Sequence, residues 1–182
     1  MRRNLALFLG AVLLASAAWA ASRVSYDSNY ARDRAEIDDL LARYLFALDW
    51  QDPDMYGSVF AEDGVLVWAG GTVNGRAAIV QEMRNARAAD ERVNAATPSL
   101  RPFKRRHFVS NFALRIDGNR ATVRSLWFEF NNDGSDRRPY VGGYGHLEDE
   151  LQRVDGRWLI SRHQVFNEQR ENMGAGSANP AW

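Results

Sequence analysis

The stretch "KRRHFVSNFALRIDGNRATVRSLWFEF", residues 104–130, decides the fold, because it carries the pattern of two long strands joined by a tight turn. β-Branched and aromatic residues fill both halves, and the Asp117-Gly118 pair between them is a strong signal for a hairpin turn. A second hairpin is predicted in "YVGGYGHLEDELQRVDGRWLISRHQVF", residues 140–166, with its turn at Asp155-Gly156. Two long hairpins in the carboxyl-terminal half therefore predict one antiparallel sheet.

Helical patterns precede these hairpins. Apolar residues recur at helical spacing between Ile37 and Leu48, which predicts an amphipathic helix over residues 30–50. Two further helical segments are predicted near residues 52–60 and 75–89. Helices first and long hairpins later are typical of an α+β fold. We expect a curved antiparallel sheet with helices packed on its concave face around a cone-shaped pocket.

The composition limits the class of protein. A chain of 182 residues that is 46% apolar has the size of one globular domain with short extensions. The 23 basic and 23 acidic side chains give a formal net charge of zero, so no long-range field attracts nucleic acid, and we expect no nucleic-acid partner. The chain has no cysteine, which excludes disulfides, thiolate chemistry and cysteine-ligated metals.

The first twenty residues, "MRRNLALFLGAVLLASAAWA", have the pattern of a secretory signal peptide. Arg2-Arg3 form the charged start, an apolar run follows, and Ala18-Trp19-Ala20 is a small-x-small cleavage site. The alternative is a membrane anchor, but the apolar run is shorter than the roughly 20 residues that a span needs. We therefore predict cleavage after Ala20, export to the periplasm or beyond, and no membrane attachment after cleavage.

Four segments, in this order, resemble the SnoaL-like family: "DDLLARYLFALDWQD", "FAEDGVL", "RRHFVSNFALRIDGNRATV" and "HLEDELQRVDGRWLISRHQV". That family shares its fold with nuclear transport factor two, ketosteroid isomerase and scytalone dehydratase. The resemblance implies a cystatin-like α+β barrel, and it covers most of the chain. The predicted organisation is a signal peptide (1–20), a flexible segment (21–29), a SnoaL-like domain (30–167) and a carboxyl-terminal tail (168–182).

The resemblance is strongest to the dehydratase-like branch, and it implies a site. Enzymes of that branch pair a carboxylate near the end of the first helix with a histidine early in the strand after the helices, and Asp49 and His107 match these positions. Tyr44, five residues before Asp49, matches a tyrosine that serves one of these sites. Several relatives add an arginine near the last strand. Here His163 falls closest to that place, and strand alternation points Arg162 to the other side.

Physical chemistry supports the predicted pair. A neutral imidazole with a pKa of about 6.5 is a suitable general base, and a carboxylate on its second nitrogen fixes the tautomer. Tyr44 can donate a hydrogen bond to developing negative charge or to a departing oxygen. No cofactor is required, and the three histidines lack the short spacings typical of metal sites, so no metal site is predicted.

These residues predict an exported, cofactor-independent lyase of dehydratase type, in which the Asp49 and His107 dyad removes a proton from a small apolar cyclic substrate. A ketosteroid-isomerase-like proton shuttle and a non-catalytic ligand-binding protein are the alternatives. Asp49 as a solvated helix end and Tyr44 or His163 as core residues also stay open. His146 is predicted to lie on the outer face of the sheet.

Aromatic and apolar residues at inward positions are predicted to line the pocket, which suits a hydrophobic ring-containing ligand. The predicted lining residues are Phe46, Trp68, Val109, Asn111, Trp127, Phe128, Tyr144 and His163. A second apolar set, Phe112, Leu114 and Phe130, is predicted on the exposed face of the sheet. Because an apolar sheet face needs a cover, we expect a homodimer or homotrimer.

Overall fold

A computed structural model of the chain describes residues 29–170 and 178–181. The chain divides into a unit of residues 1–32, of which only 29–32 are described, and a compact unit of Asp33–Trp182. The predicted signal peptide, most of the predicted flexible segment and part of the predicted tail lie outside the described residues. Among the helices that the structure describes, none is long and apolar enough to cross a membrane.

The described residues form three helices and six strands. The helices are α1 (Tyr30–Trp50), α2 (Pro53–Ser58) and α3 (Arg76–Ala96). The strands are β1 (Phe60–Trp68), β2 (Gly71–Asn74), β3 (Arg105–Asp117), β4 (Arg120–Asn131), β5 (Tyr140–Val154) and β6 (Arg157–Asn167).

All six strands belong to one curved, unclosed sheet in the order β2-β1-β6-β5-β4-β3. The predicted α+β fold is confirmed, and the two long predicted hairpins are β3–β4 and β5–β6. The turn residues Asp155 and Gly156 both have positive φ, as the favoured two-residue hairpin turn requires. One pair, β1 and β6, is parallel rather than antiparallel, which the long connection between these two strands permits.

Helix α1 covers the concave face of the sheet with the apolar stripe that its periodicity predicts. Ile37, Leu40 and Tyr44 are buried in one core cluster. Their partners in that cluster come from the inward faces of four strands and include Val123, Leu151 and Ile160. The stripe therefore fixes which side chains of the carboxyl-terminal end of α1, Asp49 among them, face the sheet.

Helix α3 is longer than the predicted segment 75–89 and runs to Ala96. The segment "DERVNAA" after residue 89 consists largely of residues that a helix accommodates well. Arg87 also donates to Glu91 at 2.9 Å, one turn further on, which supports the extension. The helix ends where Thr97 precedes Pro98.

A β-bulge in β3 changes which side chains face inward. The register with β4 is interrupted between Ser110 and Ala113, and Asn111 in the bulge has φ of 58°. Before the bulge, His107 and Val109 face the interior. The extra residue reverses the alternation, so that the even-numbered side chains face the core afterwards.

The bulge overturns one part of the predicted exposed face. Phe112 and Leu114 lie beyond the bulge and pack, partly buried, against the core cluster. Phe130, on β4, is exposed as predicted. The apolar face on the outside of the sheet is therefore built from other residues, chiefly Phe108 and Phe128 beside Phe130.

Candidate active site

A cavity of about 440 Å³ lies between the helices and the concave face of the sheet, a volume in the range typical of small-molecule sites. Both helix and sheet residues line it. The predicted site residues that line the cavity are Tyr44, Asp49, Trp68, His107, Val109, Trp127 and His163.

Four predicted lining residues lie outside the cavity. Phe46 falls on the outer side of α1, where it is 60% exposed and packs against the Trp50 ring. Phe128 and Tyr144 are register partners on the outer face of the sheet. The inward positions beside Phe128 belong to Trp127 and Glu129, and two adjacent residues of a regular strand cannot both face inward. The fourth, Asn111, is the exposed bulge residue already described.

The structure brings Asp49 and His107 into direct contact. The ring Nδ1 of His107 lies 2.6 Å from Asp49 Oδ1, and the backbone N–H of His107 donates to Asp49 Oδ2 at 3.0 Å. Arg106 fixes the end of α1 from the other side, because its guanidinium donates to the Asp49 carbonyl at 2.9 Å and lies over the Trp50 ring. The Asp49 carboxylate is therefore fixed by these contacts rather than solvated at the end of the helix.

A second carboxylate, which the sequence analysis missed, holds the other nitrogen of the ring. Glu129 Oε2 lies 3.0 Å from His107 Nε2. Glu129 in turn accepts hydrogen bonds from the Gly143 backbone N–H at 3.1 Å and the Asn131 amide at 3.0 Å. The available signal was the register of the predicted hairpin, since Glu129 is the strand partner of His107 and the one charge in an aromatic run.

The two carboxylates change the charge of His107. Burial alone would lower the pKa of His107, but the hydrogen bonds to Asp49 and Glu129 outweigh it and raise the pKa to about 9. Burial opposes ionisation of Glu129 too, yet His107 and the Gly143 N–H lower the Glu129 pKa to about 2. In this arrangement His107 is an imidazolium at neutral pH, so the expectation of an ordinary pKa near 6.5 is wrong.

A second histidine array lies deeper in the cavity. His163 Nδ1 is 2.5 Å from Asp149 Oδ1, and His163 Nε2 is 3.0 Å from the Tyr44 hydroxyl. The Tyr56 hydroxyl donates to Tyr44 at 3.5 Å. Burial, with Tyr56 beside it, raises the pKa of Tyr44 well above its usual value, and burial raises that of Tyr56 to about 12. His163 is thus both buried and part of the cavity wall.

Asp149 was also missed by the sequence analysis, although a signal was present. It lies on the face of β5 that otherwise carries buried leucines, Leu147 and Leu151, and it is the register partner of His163. A lone carboxylate on an apolar strand face opposite a histidine indicates a buried pair. The remaining histidine, His146, stacks on Phe166 away from the cavity lining.

The described part of the chain holds no group of three or more histidine, cysteine, aspartate or glutamate side chains that could bind a metal ion. The cavity offers two histidines, each paired with at least one carboxylate, and two buried tyrosines. Groups of this kind take up, hold and deliver protons.

Comparisons with known proteins agree with this fold. The SnoaL-like domain family matches residues 29–164, so the chain belongs to the SnoaL-like family. No curated protein matches the sequence.

Several solved structures share the fold. A putative scytalone dehydratase from Novosphingobium aromaticivorans is 20% identical, with a TM-score of 0.61 over 84% of this chain and 95% of the other. ActVI-ORFA from Streptomyces coelicolor is 21% identical, with a TM-score of 0.61 over 75% and 98%. A cystatin-like protein of unknown function from Nostoc punctiforme is 24% identical, with a TM-score of 0.59 over 75% and 92%. At these identities the likeness shows the fold alone.

Proposed function

We propose that this protein is a cofactor-independent lyase of dehydratase type that acts on a small, largely apolar cyclic molecule. The observation that carries the proposal is the position of His107. Its ring faces a mainly apolar cavity, and its Nδ1 contacts the carboxylate of Asp49. A structural relative described as a putative scytalone dehydratase supports the same class of reaction. The fold by itself is compatible with many activities, so the proposal rests on the site.

In the proposed reaction His107 is the general base. Asp49 keeps the Nδ1 proton in place, which leaves Nε2 as the nitrogen that takes a proton from substrate carbon. The electron pair of the broken C–H bond forms the new C=C bond, and the C–O bond to the departing oxygen breaks. Asp49 then stabilises the imidazolium that forms.

Glu129 controls when this base is available. Its carboxylate occupies Nε2, so the substrate has to displace it before the C–H bond can approach. Displacement removes one of the two contacts that raise the pKa of His107, and the ring then gives its Nε2 proton to water, which leaves the neutral ring that acts as the base. Substrate binding and activation of the base are coupled in this way.

The test uses variants that keep the shape of the site. His107→Gln and Asp49→Asn should each lower turnover by a factor on the order of 100 or more, because general-base catalysis contributes at least that much. The double variant should lose hardly more than either single variant, since the two groups act as a unit. A suitable assay is a panel of cyclic β-hydroxy ketones, with the enone product followed by absorbance.

The control is His146→Gln, which removes a buried histidine away from the cavity. It should leave turnover unchanged. Unchanged turnover in His107→Gln would refute the role of the base. A product that has only shifted its double bond, with no loss of water, would favour an isomerase, and binding without turnover would favour a ligand-binding protein.

We also propose that the protein is exported. The supporting pattern is the charged start, apolar run and Ala18-Trp19-Ala20 site of the sequence. Amino-terminal sequencing of the periplasmic or secreted protein should return Ala21 as the first residue. Ala20→Leu should block cleavage, because a large residue does not fit the cleavage site. Recovery of chains that begin at Met1 from a membrane fraction would contradict export.

A further inference from the structure

The proposed base leaves a second set of ionisable groups unused. Asp149 and His163 are each 1% exposed, and they lie among apolar core residues. An apolar pair of similar size would pack at these positions without the desolvation that two ionisable groups suffer. A buried titratable pair beside a cavity is a candidate for a functional site.

The contacts among these groups form a series that runs from the core to the cavity. Asp149 contacts Nδ1 of the His163 ring at 2.5 Å, while the opposite nitrogen, Nε2, lies 3.0 Å from the Tyr44 hydroxyl. His163 and Tyr44 line the cavity, and Asp149 is not among the lining residues. The order from core to cavity is therefore carboxylate, imidazole, phenol.

The environment of Tyr44 explains why a proton source behind it matters. Burial, the neighbouring Tyr56 and the charges of Asp149 and Asp49 all disfavour a phenolate at this position and raise the pKa of Tyr44. Tyr44 can therefore give up its proton readily only if another proton replaces it during the transfer. The His163 ring is within hydrogen-bonding distance to supply that proton.

We infer that Asp149, His163 and Tyr44 form a proton-delivery unit that protonates the oxygen leaving the substrate. Tyr44 is the group that touches the leaving oxygen, and His163 and Asp149 are positioning residues that act through it. The inference rests on the proposed elimination, and it adds an acid on the cavity wall to the base at His107.

The Tyr44 O–H bond breaks as its proton moves to the leaving oxygen, which takes the electron pair of the breaking C–O bond and departs as water. The proton on His163 Nε2 moves to the Tyr44 oxygen, so no phenolate accumulates. The ring keeps its Nδ1 proton, which is hydrogen-bonded to Asp149, and its Nε2 takes up a proton from water after the product leaves.

The experiment compares two leaving groups. Each cyclic β-hydroxy ketone of the panel is paired with its acetate ester, which releases acetate and needs no proton for departure. Both members give the same enone, so one absorbance assay serves both. The variants are His163→Gln and Asp149→Asn, with His146→Gln as the matched control for the loss of a buried histidine outside the cavity.

The variants of the unit should lose activity on the hydroxyl compound by a factor on the order of 100, as general-acid catalysis predicts. On the acetate they should change by no more than about threefold. His107→Gln should lose both activities, because both eliminations need the base. Equal losses on the two compounds, or no loss on either, would overturn the inference while leaving the proposed function intact.

Folding is checked by circular dichroism and thermal melting, because His163 and Asp149 are buried. Should either variant fail to fold, Tyr44→Phe removes only the terminal hydroxyl and must show the same dependence on the leaving group. A wild-type protein that converts no pair of the panel, or one in which His107→Gln stays active, would refute the proposed elimination itself and this inference with it.

Discussion

His107 carries a positive charge because two carboxylates share its ring, and this has a consequence for stability. The pKa of His107 is higher in the folded protein, at about 9, than its ordinary value of 6.5. The group therefore stabilises the fold fully below about pH 6.5, and that contribution is lost as the pH rises through about 9. A pKa shift of this size corresponds to a contribution on the order of 3 kcal/mol to the free energy of unfolding.

The variant Glu129→Gln tests whether the Glu129 carboxylate raises the pKa of His107. The variant keeps the shape of the side chain but removes one of the charges that hold the imidazolium. The pKa of His107 should fall, and the decrease in melting temperature between pH 6.5 and about pH 9 should be smaller than in the wild type. Nuclear magnetic resonance titration of the His107 ring measures the pKa directly.

Glu150→Gln is the control for this experiment, because Glu150 is an exposed glutamate on the same sheet. It should leave the His107 titration unchanged. The same Glu129→Gln variant should move the rise of kcat/KM to lower pH, since that parameter follows the ionisation of the unbound enzyme. A His107 midpoint that is the same in the wild type and Glu129→Gln would contradict the two-carboxylate account.

At the scale of single elements, the sequence predicts most of the architecture. The stripe of α1 and the two long hairpins follow from local periodicity and local turn chemistry, and the structure confirms them. The turn at Asp155-Gly156 is as predicted, whereas the first hairpin turns one residue later than predicted, at Gly118 and Asn119, because Asp117 still pairs with Arg120. The end of α3 was harder to predict, because residues 90–96 carry no capping or breaking signal until Thr97 precedes Pro98. Local patterns predict an element reliably where the periodic segment is long and regular.

The bulge in β3 shows where local patterns fail. A single extra residue at Asn111 reverses the alternation, so a sequence read with a strict period of two assigns the wrong face to Asn111, Phe112 and Leu114. Glu129 and Asp149 were missed for a related reason. Each becomes significant only through its partner across the sheet, and the exact register is a property of the paired strands rather than of either segment alone.

At the scale of the whole molecule, the outer face of the sheet presents an apolar surface. We call Phe108, Phe128 and Phe130 the outer aromatic cluster, in which the Phe108 and Phe128 rings stack at 5.1 Å and Phe130 meets Phe108 edge-on. These side chains are 47%, 39% and 40% exposed. An apolar group of this kind on a sheet face is typical of an interaction surface.

We propose that a second copy of the chain covers this cluster, giving a homodimer or homotrimer. The formal net charge of zero means that two copies do not repel each other at long range, which favours self-association. Sedimentation of the mature protein at micromolar concentration should show a mass of two or three chains. Phe108→Asp should shift the protein to monomer, because a carboxylate in the middle of the buried contact loses its hydration.

The matched control is Phe46→Asp, which changes an even more exposed phenylalanine on α1, outside the cluster, and should leave the oligomer unchanged. A wild type that sediments as a monomer, or a Phe108→Asp variant with the wild-type mass, would contradict self-association through this face.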